Sequence, residues 1–167
     1  RRRRVSIPVM ADLIAATSPI GIALGRVANF VNGELWGRPS DVPWAVVFPQ
    51  APLIHGYQVS RHPSQLYAVA LEGLFILMVL LPIHAKHRRP GLTVALFLAL
   101  YSSGRFFGEF FREPDLGQPI FFGWMSKGQL YSIPLAVAGI GLLIWAWRRG
   151  QQTEAYKLED VLASRQG

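Results

Sequence analysis

The sequence predicts an all-α integral membrane protein, a bundle of about four transmembrane helices with a long extracytoplasmic loop rich in proline and tryptophan. Apolar residues make up 51% of the 167 residues and cluster into runs such as 66–83 and 92–101. A hydrocarbon core about 30 Å thick requires roughly 20 helical residues, and four stretches approach that length. Residues 74–81 lack the polar stripe of an amphipathic soluble helix. The length of the apolar runs and the absence of a polar face over residues 74–81 therefore indicate membrane spans.

We predict one bundle over residues 1–147, followed by a tail, 148–167, that forms either a short cytoplasmic helix or a disordered end. Pro19 is expected to kink the first span, and Gly21 and Gly25 form a pair suited to close helix contact. Pro63 and Ser64 favour the start of the second span. The four spans are expected at about 12–32, 66–84, 91–111 and 129–147.

The net charge of +7 is concentrated in three basic clusters beside the spans: residues 1–4, 86–89 and 148–149. In a four-span topology all three clusters lie on one side, as the positive-inside rule expects of cytoplasmic ends. Both termini of the chain are therefore predicted to be cytoplasmic. A nucleic-acid partner is the other explanation of the charge, but no base-reading or phosphate-loop motif supports it.

Cysteine is absent from the sequence, which excludes disulfides, thiolate catalysis by the protein and cysteine-based metal sites. The four histidines are scattered rather than set at metal-ligand spacing, so we expect neither a metal nor a cofactor. His62 and Ser64 stand two residues apart at a helix start, where their side chains point away from each other. A serine hydrolase is therefore not expected, and His62 is interpreted as a hydrogen-bonded structural residue.

At least four charged residues fall inside the predicted spans, including Arg26, Glu72, Arg105 and Glu109. A charge near the bilayer centre costs a few kcal/mol, so such residues usually face the bundle interior. Arg105 and Glu109 are four residues apart on one predicted helix and can pair. Glu72 is either part of the polar interior or a buried structural acid, and the sequence does not decide between these.

On the first helix we expect a stripe of polar and glycine residues along one face, if that helix continues beyond its predicted span. Arg26, Asn29, Gly33 and Gly37 would then share one face, with Glu34 beside it. Two helices would each present an arginine and a carboxylate to a common interior. One interpretation is that structural ion pairs hold the bundle together. The other is a site for an anion, because guanidinium binds phosphate through paired hydrogen bonds, and in a membrane that phosphate is a lipid headgroup.

Four segments resemble bacterial prolipoprotein diacylglyceryl transferases, in order and at the spacing of that family. They are GRVANFVNGELWGR at 25–38, RHPSQLY at 61–67, RFFGEFFREPD at 105–115, and MSKGQ at 125–129 followed by Ser132 and Pro134. The resemblance covers most of residues 10–147. It departs from the family at Ala68, where glutamate is common.

The resemblance implies an enzyme of the bacterial cytoplasmic (inner) membrane that acts in lipoprotein maturation. Such enzymes move the diacylglyceryl group of phosphatidylglycerol onto the lipobox cysteine of a prolipoprotein and release glycerol phosphate. The implied partners are phosphatidylglycerol, the prolipoprotein lipobox peptide and membrane lipids. The attacking thiol belongs to the substrate, which fits a chain without cysteine.

By position in the family motifs, Arg26 and Arg105 are implied to bind the phosphatidylglycerol headgroup. Asn29, Glu34 and Glu109 are implied to be catalytic, and Glu34 and Glu109 would orient either the arginines or the glycerol hydroxyl of the lipid. The remaining motif positions are Gly37, His62, Ser64, Gln65, Tyr67 and Glu72. Members of the family are usually longer and carry further N-terminal spans with a His-Asp-Gly segment and a tyrosine, which include the usual candidate general base. This chain therefore corresponds to the C-terminal part of the family.

Two other functions remain as alternatives. A non-catalytic membrane module that binds anionic phospholipid or a partner helix would need Arg26 and Arg105 for stability or assembly rather than for turnover. A transporter would tend to show repeat symmetry or paired broken helices, and only the first span contains a predicted break.

Overall fold

A computed structural model describes residues 6–86, 89–114, 117 and 119–164, with the backbone alone over 150–164. Residues 1–4 and 87–88 of the basic clusters, residue 115 of the third motif segment and residues 165–167 of the predicted tail lie outside the described residues. The fold is mostly helical, as predicted. Its elements are α1 Ile7–Val31, β1 Val46–Val47, β2 Ser60–Arg61, α2 Ser64–Ala68, a π-helical segment Val69–Phe75, α3 Ile76–Lys86, α4 Leu92–Gly108 and α5 Lys127–Ser164.

Within the described part of the chain, three helical segments are long and apolar enough to cross a membrane: Ile7–Val31, Ser64–Lys86 and Lys127–Arg149. The second of these is continuous through α2, the π-helical segment and α3. Large apolar side chains such as Leu24, Met78 and Val137 are about two-thirds exposed. A soluble protein would bury such residues, whereas a bilayer covers them, so the fold is consistent with a membrane protein.

The fourth apolar helix, α4, has 17 residues, which corresponds to about 25 Å at 1.5 Å per residue. It ends at Gly108, whereas the prediction extended to residue 111. Beyond Gly108 the chain turns, and Arg112 forms a β-bridge with Gly37 of the long loop. The backbone groups after Gly108 are therefore used for contact with that loop.

Helix α1 ends at Val31, so the expected stripe through Gly33 and Gly37 is wrong. Gly33 has a left-handed conformation with φ of 67°. Its amide donates to the carbonyl of Phe30 at 3.1 Å, and the Glu34 amide donates to the carbonyl of Asn29 at 2.9 Å. This pattern is a Schellman motif, which satisfies the last carbonyls of a helix and stops it.

The π-helical segment packs tightly against α1. A Cβ added at Gly73 would lie 2.7 Å from the Cβ of Ala23, so glycine is required for this approach. Cβ atoms added at Gly21 and Gly25 would meet nothing within 4 Å among the described residues. The predicted close contact through those two glycines is therefore replaced by one through Ala23 and Gly73.

Helix α4 lies centrally, in contact with α1, with the second span and with α5. Helix α5 packs on α4 alone among the described helices. A Cβ at Gly139 would lie 2.7 Å from the Ala99 amide nitrogen, which shows how closely these two helices approach. The α5 backbone continues as helix to Ser164, well beyond the predicted end at residue 147, so the predicted tail is helical over most of its length.

The long loop between α1 and α2 holds a two-stranded antiparallel sheet in which Val46 pairs with Arg61 and Val47 with Ser60. The loop is joined to the bundle by the bridge between Gly37 and Arg112 and folds back on itself by a bridge between Pro39 and Arg61. This loop therefore covers the end of the bundle where α1 ends and α4 ends.

At the opposite end of the bundle, Asp12 of α1 caps helix α4. Its side chain is buried, and its two carboxylate oxygens accept hydrogen bonds from the amides of Gly91 at 2.7 Å and Val94 at 2.9 Å. Gly91 is the N-cap residue of α4 and Val94 lies in its first turn, and neither amide has an intrahelical acceptor. Asp12 therefore supplies the cap that the sequence before α4 lacks.

We expect Asp12→Ala to lower the free energy of unfolding by about 1–2 kcal/mol, because the first amides of α4 lose their acceptor. Thermal denaturation in detergent micelles measures this change. Asp41→Ala, which removes an exposed loop aspartate, serves as the matched control and should leave the melting temperature unchanged. Equal melting temperatures for Asp12→Ala and Asp41→Ala would contradict the capping role.

Candidate anion-binding site

The candidate site is built around Glu72, a carboxylate that is 1% exposed. Its Oε2 lies 3.2 Å from Nη2 of Arg26 on α1, and its Oε1 lies 3.8 Å from Nη1 of Arg105 on α4. The π-helical segment carries Glu72 at the point where it packs against α1 and α4. One buried acid therefore connects two arginines from different helices.

A second carboxylate, Glu109, extends this cluster. Its Oε1 lies 2.6 Å from Nη2 of Arg105 and 3.2 Å from Nη1 of Arg112. Its Oε2 accepts a hydrogen bond of 2.6 Å from the Ser126 hydroxyl. The charges therefore alternate in space in the order Arg26, Glu72, Arg105, Glu109 and Arg112.

Arg26 and Arg105 share the carboxylate of Glu72, and Arg105 also pairs with Glu109. The side chains of Arg26 and Arg105 are each 17% exposed, so both remain accessible from outside. Arg105 and Arg112 lie between two cavities. One is a narrow cavity lined with Arg26, Gln65 and Glu72, and the other has a volume of about 210 Å³ and is also lined with Glu109, Lys127 and Tyr131. The arrangement favours an anion such as a carboxylate or a phosphate, whose oxygen atoms can accept paired hydrogen bonds from guanidinium groups.

The predicted pairing of Arg105 with Glu109 is confirmed, although Glu109 lies one residue beyond the end of α4. Glu72 lies in the polar interior and is also buried, so both interpretations left open by the sequence hold at once. The arginine partner of Glu72 on α1 is Arg26. Arg112 and Ser126 join the site although neither was predicted as a site residue. The signal for Arg112 is its position three residues after Glu109, from which it can reach that carboxylate.

Glu34 and Asn29 are not joined to the charge cluster. The Glu34 side chain is exposed, and no ion pair connects it to any residue in the described ranges. Arg26 pairs with Glu72 instead, so the expected presentation of an arginine with Glu34 is wrong. The physical reason is the end of α1 at Val31, which turns Glu34 away from the Arg26 face.

The segment 61–67 connects the start of the second span to the long loop. The Ser64 hydroxyl donates to the Leu35 carbonyl at 2.8 Å, and the Gln65 side-chain amide donates to the Glu34 carbonyl. The Tyr67 hydroxyl lies 3.0 Å from Nδ1 of His62 and accepts a 2.6 Å hydrogen bond from Nε1 of Trp44. His62 is thus hydrogen-bonded to Tyr67, as expected, and Ser64 is engaged with the backbone.

Gly37 lies at the crossing of three backbone segments. Its amide donates to the His62 carbonyl at 2.9 Å, and the following amide of Arg38 donates to the Phe111 carbonyl at 2.9 Å. A Cβ at residue 37 would lie 2.6 Å from the Cβ of His62 and 2.7 Å from the Phe111 carbonyl oxygen. Only glycine allows the loop to approach both segments, and this approach fixes the chain that carries Glu109 and Arg112.

The described residues hold no group of three or more His, Asp or Glu side chains that could bind a metal ion. The polar groups of the site are instead guanidinium, carboxylate, amide and hydroxyl groups. Together, membrane-length helices and an arginine-rich cluster at one end of the bundle are consistent with a membrane protein that has a candidate anion-binding site.

Comparison with known proteins agrees with this class. The family model of prolipoprotein diacylglyceryl transferase matches residues 1–145, and the chain belongs to this family. It is similar to three proteins named phosphatidylglycerol–prolipoprotein diacylglyceryl transferase. The protein from Rhodopseudomonas palustris is 48% identical over 92% of this chain, that from Pseudoalteromonas translucida is 44% identical over 93%, and that from Nitrobacter winogradskyi is 45% identical over 90%.

The chain spans about half the length of these relatives: 54%, 56% and 52%, respectively. The resemblance carried by the four motif segments is therefore confirmed at the level of the family.

We expect Gly37→Ala to lower the free energy of unfolding by about 1–3 kcal/mol, because the added methyl group collides with backbone and Cβ atoms that are fixed by hydrogen bonds. Gly21→Ala is the matched control, since its Cβ enters open space and alanine favours helix over glycine. Thermal denaturation in micelles should give a lower melting temperature for Gly37→Ala only. A similar loss for both variants would contradict the proposed close approach.

We expect Glu72→Gln to lower the free energy of unfolding by on the order of 3 kcal/mol, because it leaves two mostly buried guanidinium groups without their shared carboxylate. Glu34→Gln removes an exposed carboxylate and should leave stability unchanged. Denaturation of the two variants under identical conditions measures the contrast. If Glu34→Gln proves as destabilising as Glu72→Gln, the assignment of Glu72 as the organising acid fails.

Proposed function

We propose that this chain carries the lipid-headgroup site of an enzyme that transfers the diacylglyceryl group of phosphatidylglycerol to the lipobox cysteine of a prolipoprotein. The observation that supports this most directly is the cluster in which Arg26 and Arg105 share Glu72 and remain partly accessible. Family membership supplies the reaction, since the relatives are named for it. The cluster supplies a place where a lipid phosphate binds.

The reaction breaks the bond between the glyceryl carbon of the lipid and its phosphate oxygen, and forms a bond between that carbon and the cysteine sulfur. The leaving glycerol phosphate takes the bonding electron pair, so one negative charge develops on its phosphate group. Guanidinium groups placed beforehand at that phosphate stabilise the developing charge. Arg26 and Arg105 have this role in the proposal.

The carboxylates have a different role in the proposal. Glu72 is a positioning residue, because it fixes two guanidinium groups from different helices. Glu109 holds Arg105 and Arg112 together and accepts from Ser126, and it stands at a motif position implied to be catalytic. Of the other two implied catalytic residues, Asn29 lies three residues after Arg26 on α1, whereas Glu34 follows the end of that helix. The thiol must lose its proton before it attacks, and we assign this base to no described residue.

We propose that four helical segments span a bacterial cytoplasmic membrane: the three long segments and the shorter helix α4. Lys86 follows one span, and Arg148 and Arg149 stand at the far end of another. The positive-inside rule then places those ends, and both termini of the chain, on the cytoplasmic side. In this orientation the charge cluster and the long loop with Trp44 lie toward the extracytoplasmic side.

The proposal is tested by transfer of labelled diacylglyceryl from phosphatidylglycerol to a lipobox peptide. The proteins compared are this chain, a protein of the relatives' full length that contains this chain, and Arg105→Ala in the longer protein. We expect transfer by the longer protein and a loss of at least about 100-fold in Arg105→Ala, because a group that stabilises developing charge is removed.

Two further variants of the longer protein separate the roles of charge and geometry. Arg105→Lys keeps the charge but loses the two-pronged guanidinium, and we expect it to remain well below the unsubstituted protein. Lys86→Ala removes an exposed cation from the opposite end of the bundle and should retain full transfer. A longer protein that binds phosphatidylglycerol but transfers nothing would overturn the proposal and leave a non-catalytic module for anionic phospholipid.

A further inference from the structure

The narrow cavity beside the charge cluster contains two unused hydrogen-bond acceptors. Gln65 and Glu72 both line it, and each is almost completely buried, at 2% and 1% exposure. Oε1 of Gln65 and Oε1 of Glu72 each lack a hydrogen-bond partner among the described residues. A buried acceptor without a donor costs about 1–3 kcal/mol, so two of them at one cavity indicate a donor supplied by something that binds there.

The orientation of the Gln65 amide is fixed by its other end. Its Nε2 donates to the Glu34 carbonyl, and turning the amide over would place two oxygens against each other. Oε1 is therefore the atom left without a partner, and it can only accept a hydrogen bond. Oε1 of Glu72 lies 3.8 Å from Nη1 of Arg105, which is an ion pair but too long for a hydrogen bond.

The size of the cavity limits what the donor is. Its volume is about 10 Å³, which is close to the space that a single water molecule requires. A hydroxyl group fits this space, whereas an ammonium or methylated ammonium group is larger and would add charge beside Arg26 and Arg105. Those two arginines line the same cavity, so a hydroxyl on the same molecule as a bound phosphate reaches it.

We propose that Gln65 and Glu72 form a hydroxyl-binding subsite that recognises a hydroxyl group of the lipid headgroup while Arg26 and Arg105 hold the phosphate. This inference rests on the proposed function, since it concerns the same lipid. It assigns to Gln65 the selection of a hydroxyl-bearing headgroup over other anionic headgroups. A bound water molecule is the other source of an O–H donor for these two acceptors. The lipid comparison distinguishes a water molecule from a headgroup hydroxyl.

The test compares two anionic lipids that differ only in headgroup hydroxyls, phosphatidylglycerol and phosphatidylpropanol. Binding of each to the longer, chain-containing protein is measured by competition against a fluorescent phosphatidylglycerol in micelles. We expect the unsubstituted protein to prefer phosphatidylglycerol by about 10-fold or more, because phosphatidylpropanol leaves the acceptors unpaired. In Gln65→Met, which keeps the length of the side chain, the preference should fall to near one.

The affinity for phosphatidylpropanol in Gln65→Met reports whether the site is still folded, and it should match that of the unsubstituted protein. Ser64→Ala is the control from the same cavity wall, since the Ser64 hydroxyl is already engaged with the Leu35 carbonyl. It should retain the preference for phosphatidylglycerol.

Equal affinity of the unsubstituted protein for both lipids would overturn the proposal and assign the cavity to water. A preference that survives Gln65→Met would also overturn it. Binding and transfer are measured separately, so the failure of the subsite and the failure of the proposed function can be distinguished. Transfer with equal affinity for both lipids would refute the subsite and leave the proposed function intact. A Gln65-dependent binding preference without transfer would refute the function and leave the subsite intact.

Discussion

The carboxylate of Glu72, which is almost completely buried, connects three helical segments by forming ion pairs with two guanidinium groups at once. Without it, Arg26 and Arg105 would stand close together at the inner faces of α1 and α4 with like charges opposed. With it, their charges are partly balanced while their outer faces remain accessible. The same arrangement therefore stabilises the bundle and leaves two guanidinium groups partly accessible, so the structural and the functional interpretations of these residues are not exclusive.

The position of Glu72 depends on backbone features that carry no charge. The π-helical turn displaces the chain around residue 72, and Gly73 allows that turn to approach Ala23 of α1 closely. At the other side of the cluster, Gly37 lets the long loop pass between His62 and Phe111, and this contact fixes the turn that carries Glu109 and Arg112. Gly37 and Gly73 thus determine where the five charged side chains of the cluster meet.

The helical class and the local pairing of Arg105 with Glu109 could be predicted because both follow from spacing along a single helix. The role of Glu72 could not be predicted, because it depends on which helix packs against the π-helical turn. The expected stripe through Gly33 and Gly37 failed because Asn32 and Gly33 form a helix stop. That signal was readable in the sequence, since glycine after a helix favours the left-handed conformation. The end of α4 depends on a bridge to Gly37, which is distant in sequence.

The sequence separation within the charge cluster has a consequence for biosynthesis. Arg26 is followed by its partner Glu72 only 46 residues later, and Arg105 comes after both. Arg26 of α1 is therefore synthesised before Glu72, its one carboxylate partner among the described residues, and a guanidinium group without such a partner is costly in a bilayer. Its neutralisation requires the next span, so the two helices are best inserted as a pair, and α4 joins a partner that already carries the opposite charge. Along the chain, the charged residues of the cluster thus alternate in sign, so that each one after Arg26 can pair with a residue already synthesised.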